Sequence, residues 1–153
     1  MSDLFRGAAL DDVEAAVDGW LRSMQATNPL VAALDRGEPG ERRWYVRMRG
    51  EAKDITTIWL TLGQRTLRYE TYVMPAPEEN ESALFEHLLR RNDRLVGCHF
   101  SIGIEDAVFL RGELPVAALD EDELDRVVGT LYATVEQCFL PAIRLGFASR
   151  VRD

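Results

Sequence analysis

The chain has 153 residues, 46% hydrophobic and 29% charged, the proportions of a globular protein long enough to bury a core without disulfides or a structural metal. Its 18 basic and 26 acidic side chains leave a formal net charge of −8. That balance disfavours a protein held on nucleic acid or anionic lipid by its overall field.

In chain order, Val13, Ala16, Val17, Trp20, Leu21 and Met24 recur at helical spacing, which predicts a helix from about Asp11 to Asn28. Asp11 and Asp12 stand where a helix start favours acceptors and negative charge. Asn28-Pro29 ends it, and Asn28 is expected to cap a short second helix over Leu30 to Leu34 with Pro29 at its first position. The run Arg36-Gly37-Glu38-Pro39-Gly40 is a loop by composition.

From Arg43 the period changes to two. Trp44, Val46 and Met48 alternate with Arg43, Tyr45, Arg47 and Arg49, which predicts a half-buried strand. A turn over Gly50 to Asp54 leads to a strand at Ile55–Leu62, and Gly63-Gln64 turns into a third at Thr66–Met74. Three strands joined by short turns form an antiparallel meander. Pro75 and Pro77 stop the sheet, and an acidic run leads into a helix from about Asn80 to Arg91, with Leu84, Phe85, Leu88 and Leu89 as its apolar stripe. A hairpin follows, Val96–Ile102 and Ala107–Glu113, turning through Glu105-Asp106. Asp120, with Glu123 three residues on, resembles a capping box. Leu124, Val127, Val128, Leu131, Tyr132, Val135 and Phe139 then carry the helical period until Pro141, which is expected to kink or end the helix. The order indicates an α+β fold: an antiparallel sheet, a three-stranded meander plus a hairpin, covered by helices. One domain over residues 1–153 is expected, with an ordered core of about 10–149.

Signatures of catalysis are absent: the sequence holds no phosphate-binding glycine loop, dinucleotide fingerprint, zinc-protease motif or nucleophile elbow. Cys98 and Cys138 make no disulfide framework and no C-x-x-C spacing, and with His87 and His99 they show no metal-ligand pattern. The acidic residues gather at helix starts and at a hairpin tip, where capping and turn chemistry account for them. Neither an enzyme nor a bound cofactor is expected. No run reaches the length of a membrane span, about 18 apolar residues. Asp3, Arg6, Asp11 and Asp12 break up any signal segment, so a cytoplasmic protein with reduced thiols is expected.

One face has a composition that calls for a reading. Arg43, Tyr45, Arg47 and Arg49 project from one side of the first strand, and Trp59, Arg68, Glu70 and Tyr72 are expected to join them from its neighbours. Arginine mixed with tryptophan and tyrosine is the composition of a protein-binding hot spot. It also suits a stacking surface for single-stranded nucleic acid, or a plain solvated face with cross-strand ion pairs. The candidate protein-binding residues are Tyr45, Arg47, Arg49, Trp59, Arg68 and Tyr72. Arg90, Arg91 and Arg94 close the middle helix as cations do at a helix C-terminus. Seventeen of the 18 basic residues are arginine and only Lys53 is lysine, the usage expected from codon bias in a GC-rich genome.

The run from Trp44 to Asn80 (WYVRMRGEAKDITTIWLTLGQRTLRYETYVMPAPEEN), the segment Leu88-Leu89-Arg90-Arg91-Asn92, the hairpin SIGIEDAVFLRGELP and the helix LDRVVGTLYATVEQCF resemble the YbjN-domain family, in particular its actinobacterial branch. The likeness covers about residues 10–149. It implies a fold similar to type III secretion chaperones, a role as a bacterial sensory transduction regulator, and a homodimer that binds another protein without turnover. It brings no catalytic residue and no cofactor. The alternative is a transcription or signal-transduction regulator that touches nucleic acid through Arg43, Arg47 and Arg49, although no helix-turn-helix is visible.

Overall fold

The structure is a computed structural model that describes residues 3–151, with side chains from residue 9 onward. Helix α1 (Asp3–Thr27) is followed by strands β1 (Val31–Arg36), β2 (Arg43–Arg49), β3 (Ile55–Leu62) and β4 (Thr66–Met74). Helix α2 (Glu81–Asn92), strands β5 (His99–Ile102) and β6 (Val108–Pro115), and helix α3 (Glu121–Gly146) complete the order. The six strands form one antiparallel sheet in the order β1-β2-β3-β4-β6-β5.

The sheet has one more strand than the sequence suggests. Residues expected to form a short second helix over Leu30–Leu34 instead build β1, which pairs with β2 from Val31↔Met48 to Arg36↔Trp44. A short apolar run such as Val31-Ala32-Ala33-Leu34 fits either state by periodicity, and the open edge of β2 decides it. Asn28 caps no helix; its side chain accepts from the Leu30 amide at 3.0 Å, and the Arg49 amide donates to the Leu30 carbonyl at 2.8 Å.

Helix α1 begins at Asp3, well before Asp11, so Asp11 and Asp12 sit within it rather than at its start. Asp11 pairs with Arg42 at 2.8 Å. In α3 the Asp120 carboxylate accepts from the Glu123 amide at 2.8 Å, as the capping pattern predicts. Pro141 does not end that helix, which runs on to Gly146. The hydrogen bond that proline removes is offset by burial of Ala142 and by the fit of Gly146 against Met74, Pro77 and Leu84. The acidic run before α2 serves the end of α3: the Glu78 and Glu79 amides donate to the Gly146 carbonyl, Glu79 accepts from Ser149, and Glu78 pairs with Arg150.

The helices pack on one face of the sheet, α1 and α3 against the strands and α2 against α3 and β5. Trp44, Ile58, Leu60, Leu67 and Leu110 from the strands meet Val17, Leu21, Leu84, Leu124, Leu131 and Val135 from the helices in one core. Strand β5 forms one edge of the sheet. There the Asn92 side-chain amide takes a hydrogen bond from the Phe100 amide at 2.7 Å and returns one to the Phe100 carbonyl at 3.2 Å.

Candidate functional site on the outer sheet face

Because side chains alternate across a strand, every residue directed away from the helices joins a second, outer face. The strand register arranges that face in three rows. The first is Arg43–Thr61–Arg68–Glu113, the second Asp35–Tyr45–Trp59–Glu70–Arg111, and the third holds Arg47 and Thr57, with Tyr72 and Phe109 on the strands beyond. Arg43, Tyr45, Arg47 and Arg49 do share one side of β2, and Trp59, Arg68, Glu70 and Tyr72 join it. Trp59 is 37% exposed and Tyr72 41%, large aromatic surfaces left in water.

Trp59 and Tyr45, directly opposite each other, meet edge to face with ring centroids 6.1 Å apart, a favoured aromatic geometry. Tyr72 packs the same way on Phe109 at 5.7 Å, and the Arg111 guanidinium lies 4.4 Å from the Phe109 ring centre. Gly103 covers the Phe109 ring so closely that a Cβ there would stand 2.5 Å from it. Arg111 pairs with Glu70 at 2.6 Å and Arg47 with Asp35 at 3.8 Å. Arg43 donates to Thr61 Oγ1 at 3.2 Å. Among the described residues, neither Arg43 nor Arg68 forms an ion pair.

Two recesses open on this face, and Trp59 lines both. The larger, about 870 Å³, is bounded by Asp35, Arg36, Tyr45, Arg47, Lys53, Ile55, Thr57, Trp59 and Tyr72. The smaller, about 370 Å³, lies among Arg43, Trp59, Thr61, Arg68, Glu70 and Arg111. Of the six candidate residues, Tyr45, Arg47, Trp59 and Tyr72 thus converge on one recess and Arg68 on the next. Arg49 lies apart at the end of β2, donating to the Pro29 carbonyl at 3.0 Å.

Sequence reasoning passed over Lys53 and Asp35. Lys53 sits in the turn between β2 and β3, and its ammonium donates to the Tyr72 carbonyl at 2.6 Å and the Val73 carbonyl at 3.2 Å. The paired residues of β3 and β4 end at Ile58↔Thr71, so the side chain occupies the gap where the two strands part. Burial lowers its pKa from 10.5 to about 8, since removing water penalises the charged form. The turn itself is held by α3. One Glu136 carboxylate accepts from the amides of Glu51 at 2.5 Å, Ala52 at 3.1 Å and Lys53 at 3.1 Å, while Tyr132 donates to the Arg49 carbonyl at 2.7 Å. Gly50 lets this happen, because a Cβ there would collide with Lys53 backbone and the Glu136 carboxylate.

A different surface lies between α2 and β5. Phe85, Leu88, Leu89, Phe100, Ile102 and Val108 line an apolar groove of about 270 Å³. Leu84 and Leu88 are buried, but Leu89, expected on the same stripe, is 67% exposed at its rim. Elsewhere, Cys98 and Cys138 are buried thiols whose pKa values burial raises. Burial, with Arg91 adding to it, lowers that of His87. Among the described residues no three His, Cys, Asp or Glu side chains are grouped to hold a metal ion, and no helix is long and apolar enough to cross a membrane. The outer face presents exposed aromatic rings, guanidinium groups and two hollows.

Residues 7–143 match the model of the YbjN family, described as "Putative bacterial sensory transduction regulator". The chain belongs to the YbjN family. Uncharacterised proteins of Mycobacterium bovis and Mycobacterium tuberculosis are 36% identical over 108 residues, 70% of this YbjN chain and 58% of theirs. One from Mycobacterium leprae is 29% identical over 130 residues, 85% of this chain and 71% of its own. The match therefore spans little more than half the length of the first two relatives. Relatives of this kind agree with an actinobacterial branch of YbjN.

Two solved structures share the YbjN fold. A chain of the heterodimeric ExoU–SpcU complex from the type III secretion system of Pseudomonas aeruginosa superposes with a TM-score of 0.54 at 17% identity, covering 82% of this chain and 96% of that one. A chain from the complex of the Yersinia pestis type III secretion chaperone SycH with a fragment of YscM2 gives 0.52 at 14% identity, with 80% and 96% covered. The α+β, chaperone-like architecture expected from the resemblance is the one found.

Proposed function

We propose that the chain is a protein-binding module, chaperone-like or regulatory, that works as a homodimer and receives another protein on its outer sheet face. The observation that carries this reading is the exposure of Trp59 and Tyr72 beside arginines on a face left uncovered by helices. Tryptophan, tyrosine and arginine are enriched among the few residues that carry most of the binding energy in protein interfaces. The fold likeness adds support, since both solved neighbours come from complexes with a partner protein. Self-association is supported by the exposed apolar side chains Leu89, Ile102 and Ile104, surface that a second copy commonly covers.

The test is affinity capture with cross-linking in the native host. A reproducible client should be recovered and should be lost with Trp59→Ala/Tyr72→Ala. If that double variant is folded by circular dichroism and keeps every partner, the face is wrong. Light scattering should give twice the mass of one chain; a monomer at micromolar concentration removes the homodimer. The arginines of β2 keep nucleic acid as the competing outcome, which requires a labelled oligonucleotide to bind at low salt and release steeply as salt rises.

A further inference from the structure

Resting on the reading of the outer face as a client site, we propose that its occupant is an extended, acidic segment of a different protein, with an apolar or aromatic side chain between two carboxylates. The rows of the face set that pattern. Along the strands, basic Arg43 and Arg68 flank Thr61 in the first row, with Glu113 beyond Arg68 at the far end; Tyr45 and Trp59 meet in the second, and Arg47 stands in the third with Lys53 beyond it. Alternate residues of a strand rise roughly 6.8 Å apart, so a segment running with β2 and β3 lowers every second side chain onto successive rows. Acidic, spacer, apolar, spacer, acidic is the order that complements them.

The geometry of the first row favours a carboxylate. Arg43 and Arg68 stand on either side of Thr61, their strands roughly 10 Å apart, within reach of one anion placed over β3. Glu70 and Asp35 already face Arg111 and Arg47, while Arg43 and Arg68 form no ion pair among the described residues. Trp59 belongs to both recesses, so a segment passing from one to the other crosses its ring.

The same charges argue against another copy of this face as the occupant. A two-fold contact of the outer face with itself sets one arginine-rich patch against an identical one, and like charges brought together oppose association. With Asp35, Glu70 and Glu113 the only carboxylates in the rows against Arg43, Arg47, Arg68 and Arg111, the surplus on the face is positive and favours a partner of opposite charge.

Fluorescence anisotropy with two labelled synthetic peptides tests this. One repeats Glu-Ser-Phe-Ser-Glu; its counterpart has lysine in place of glutamate. The acidic peptide should bind saturably and more weakly as salt is added, while the basic one should not bind. Arg68→Gln at an exposed site and Arg43→Gln at a half-buried one should each weaken it by about tenfold, the scale of one charge-assisted hydrogen bond, and Trp59→Ala should weaken it as well. Equal binding of the basic peptide, or acidic binding unaffected by either arginine variant, overturns the proposal. So does tighter binding of a single-stranded oligothymidylate than of the acidic peptide. A photo-reactive phenylalanine at position 59 separates this inference from the reading beneath it. Cross-links to a client segment without carboxylates end the acidic chemistry but keep the client face. Cross-links confined to a second copy of the chain end both.

Discussion

Trp44 and Trp59 lie on neighbouring strands, one register step apart, and have opposite fates. Trp44 points into the helices and is fully buried; its indole donates to Asp18 at 3.1 Å, and the Arg36 guanidinium lies 4.7 Å from its ring centre. That arrangement also influences Asp18: burial works to raise its pKa, but the Trp44 and Arg36 hydrogen bonds bring it below the usual value. Trp59 points the other way, touches Tyr45 and keeps more than a third of its surface in water. The inner face uses its tryptophan to hold helix to sheet. The outer face leaves an equally large ring without a comparable partner. On the proposed reading the two faces of one sheet divide folding from recognition, and the division can be tested.

The largest effect should come from Trp44→Ala, which is expected to cost about 3–5 kcal/mol of unfolding free energy, as for other large core truncations. Denaturant titration measures it; a loss under 1 kcal/mol would break the comparison. Glu136→Ala should cost about 1–3 kcal/mol by leaving backbone amides of the β2–β3 turn without an acceptor. Faster hydrogen exchange confined to Glu51–Lys53 would locate the damage. Asp120→Ala should remove about 1 kcal/mol with the loss of the α3 cap, and Asp120→Asn should restore much of it. Trp59→Ala should cost no more than about 1 kcal/mol, as an exposed site without a buried role, while reducing client binding.

Lys53 gives a pH-dependent version of the same contrast. Its folded-state pKa of about 8 lies below the unfolded value of 10.5, so between these pH values the unfolded chain binds more protons. Stability contributed by this group therefore rises as pH goes from about 8 to 10.5. The penalty for holding the ammonium partly dry is fully present below about 8. Comparing stability against pH for the native chain and Lys53→Met should show this slope only in the former.

Much of the outer face is legible from residue alternation alone. The arginines and Tyr45 of β2 fall on one side because the period is two, and the short turns before β3 and β4 bring Trp59 and Tyr72 onto that side. What alternation does not carry is which strand lies beside which. Strand β1, and with it Asp35, is hidden in a run equally suited to a helix. Arg111 joins Glu70 only because β6 pairs with β4, a long-range choice made by packing. Lys53 reads as a turn residue, and its role depends on the strands parting after Ile58↔Thr71. Likewise Glu136 sits in a helix pattern that says nothing of the turn it binds. In each case the missing information is a tertiary contact between segments far apart in sequence.

The bond from the Asn92 side chain of α2 to strand β5 bears on how copies of this chain can meet. By satisfying both backbone groups of Phe100, it withdraws the middle of a free strand edge from pairing with any other strand. Growth of one sheet into the next molecule, the route to fibres and precipitates, is obstructed at that border by a single side chain. Replacing Asn92 with leucine would keep the helix while reopening the edge, and the protein would be expected to lose solubility before it loses its fold.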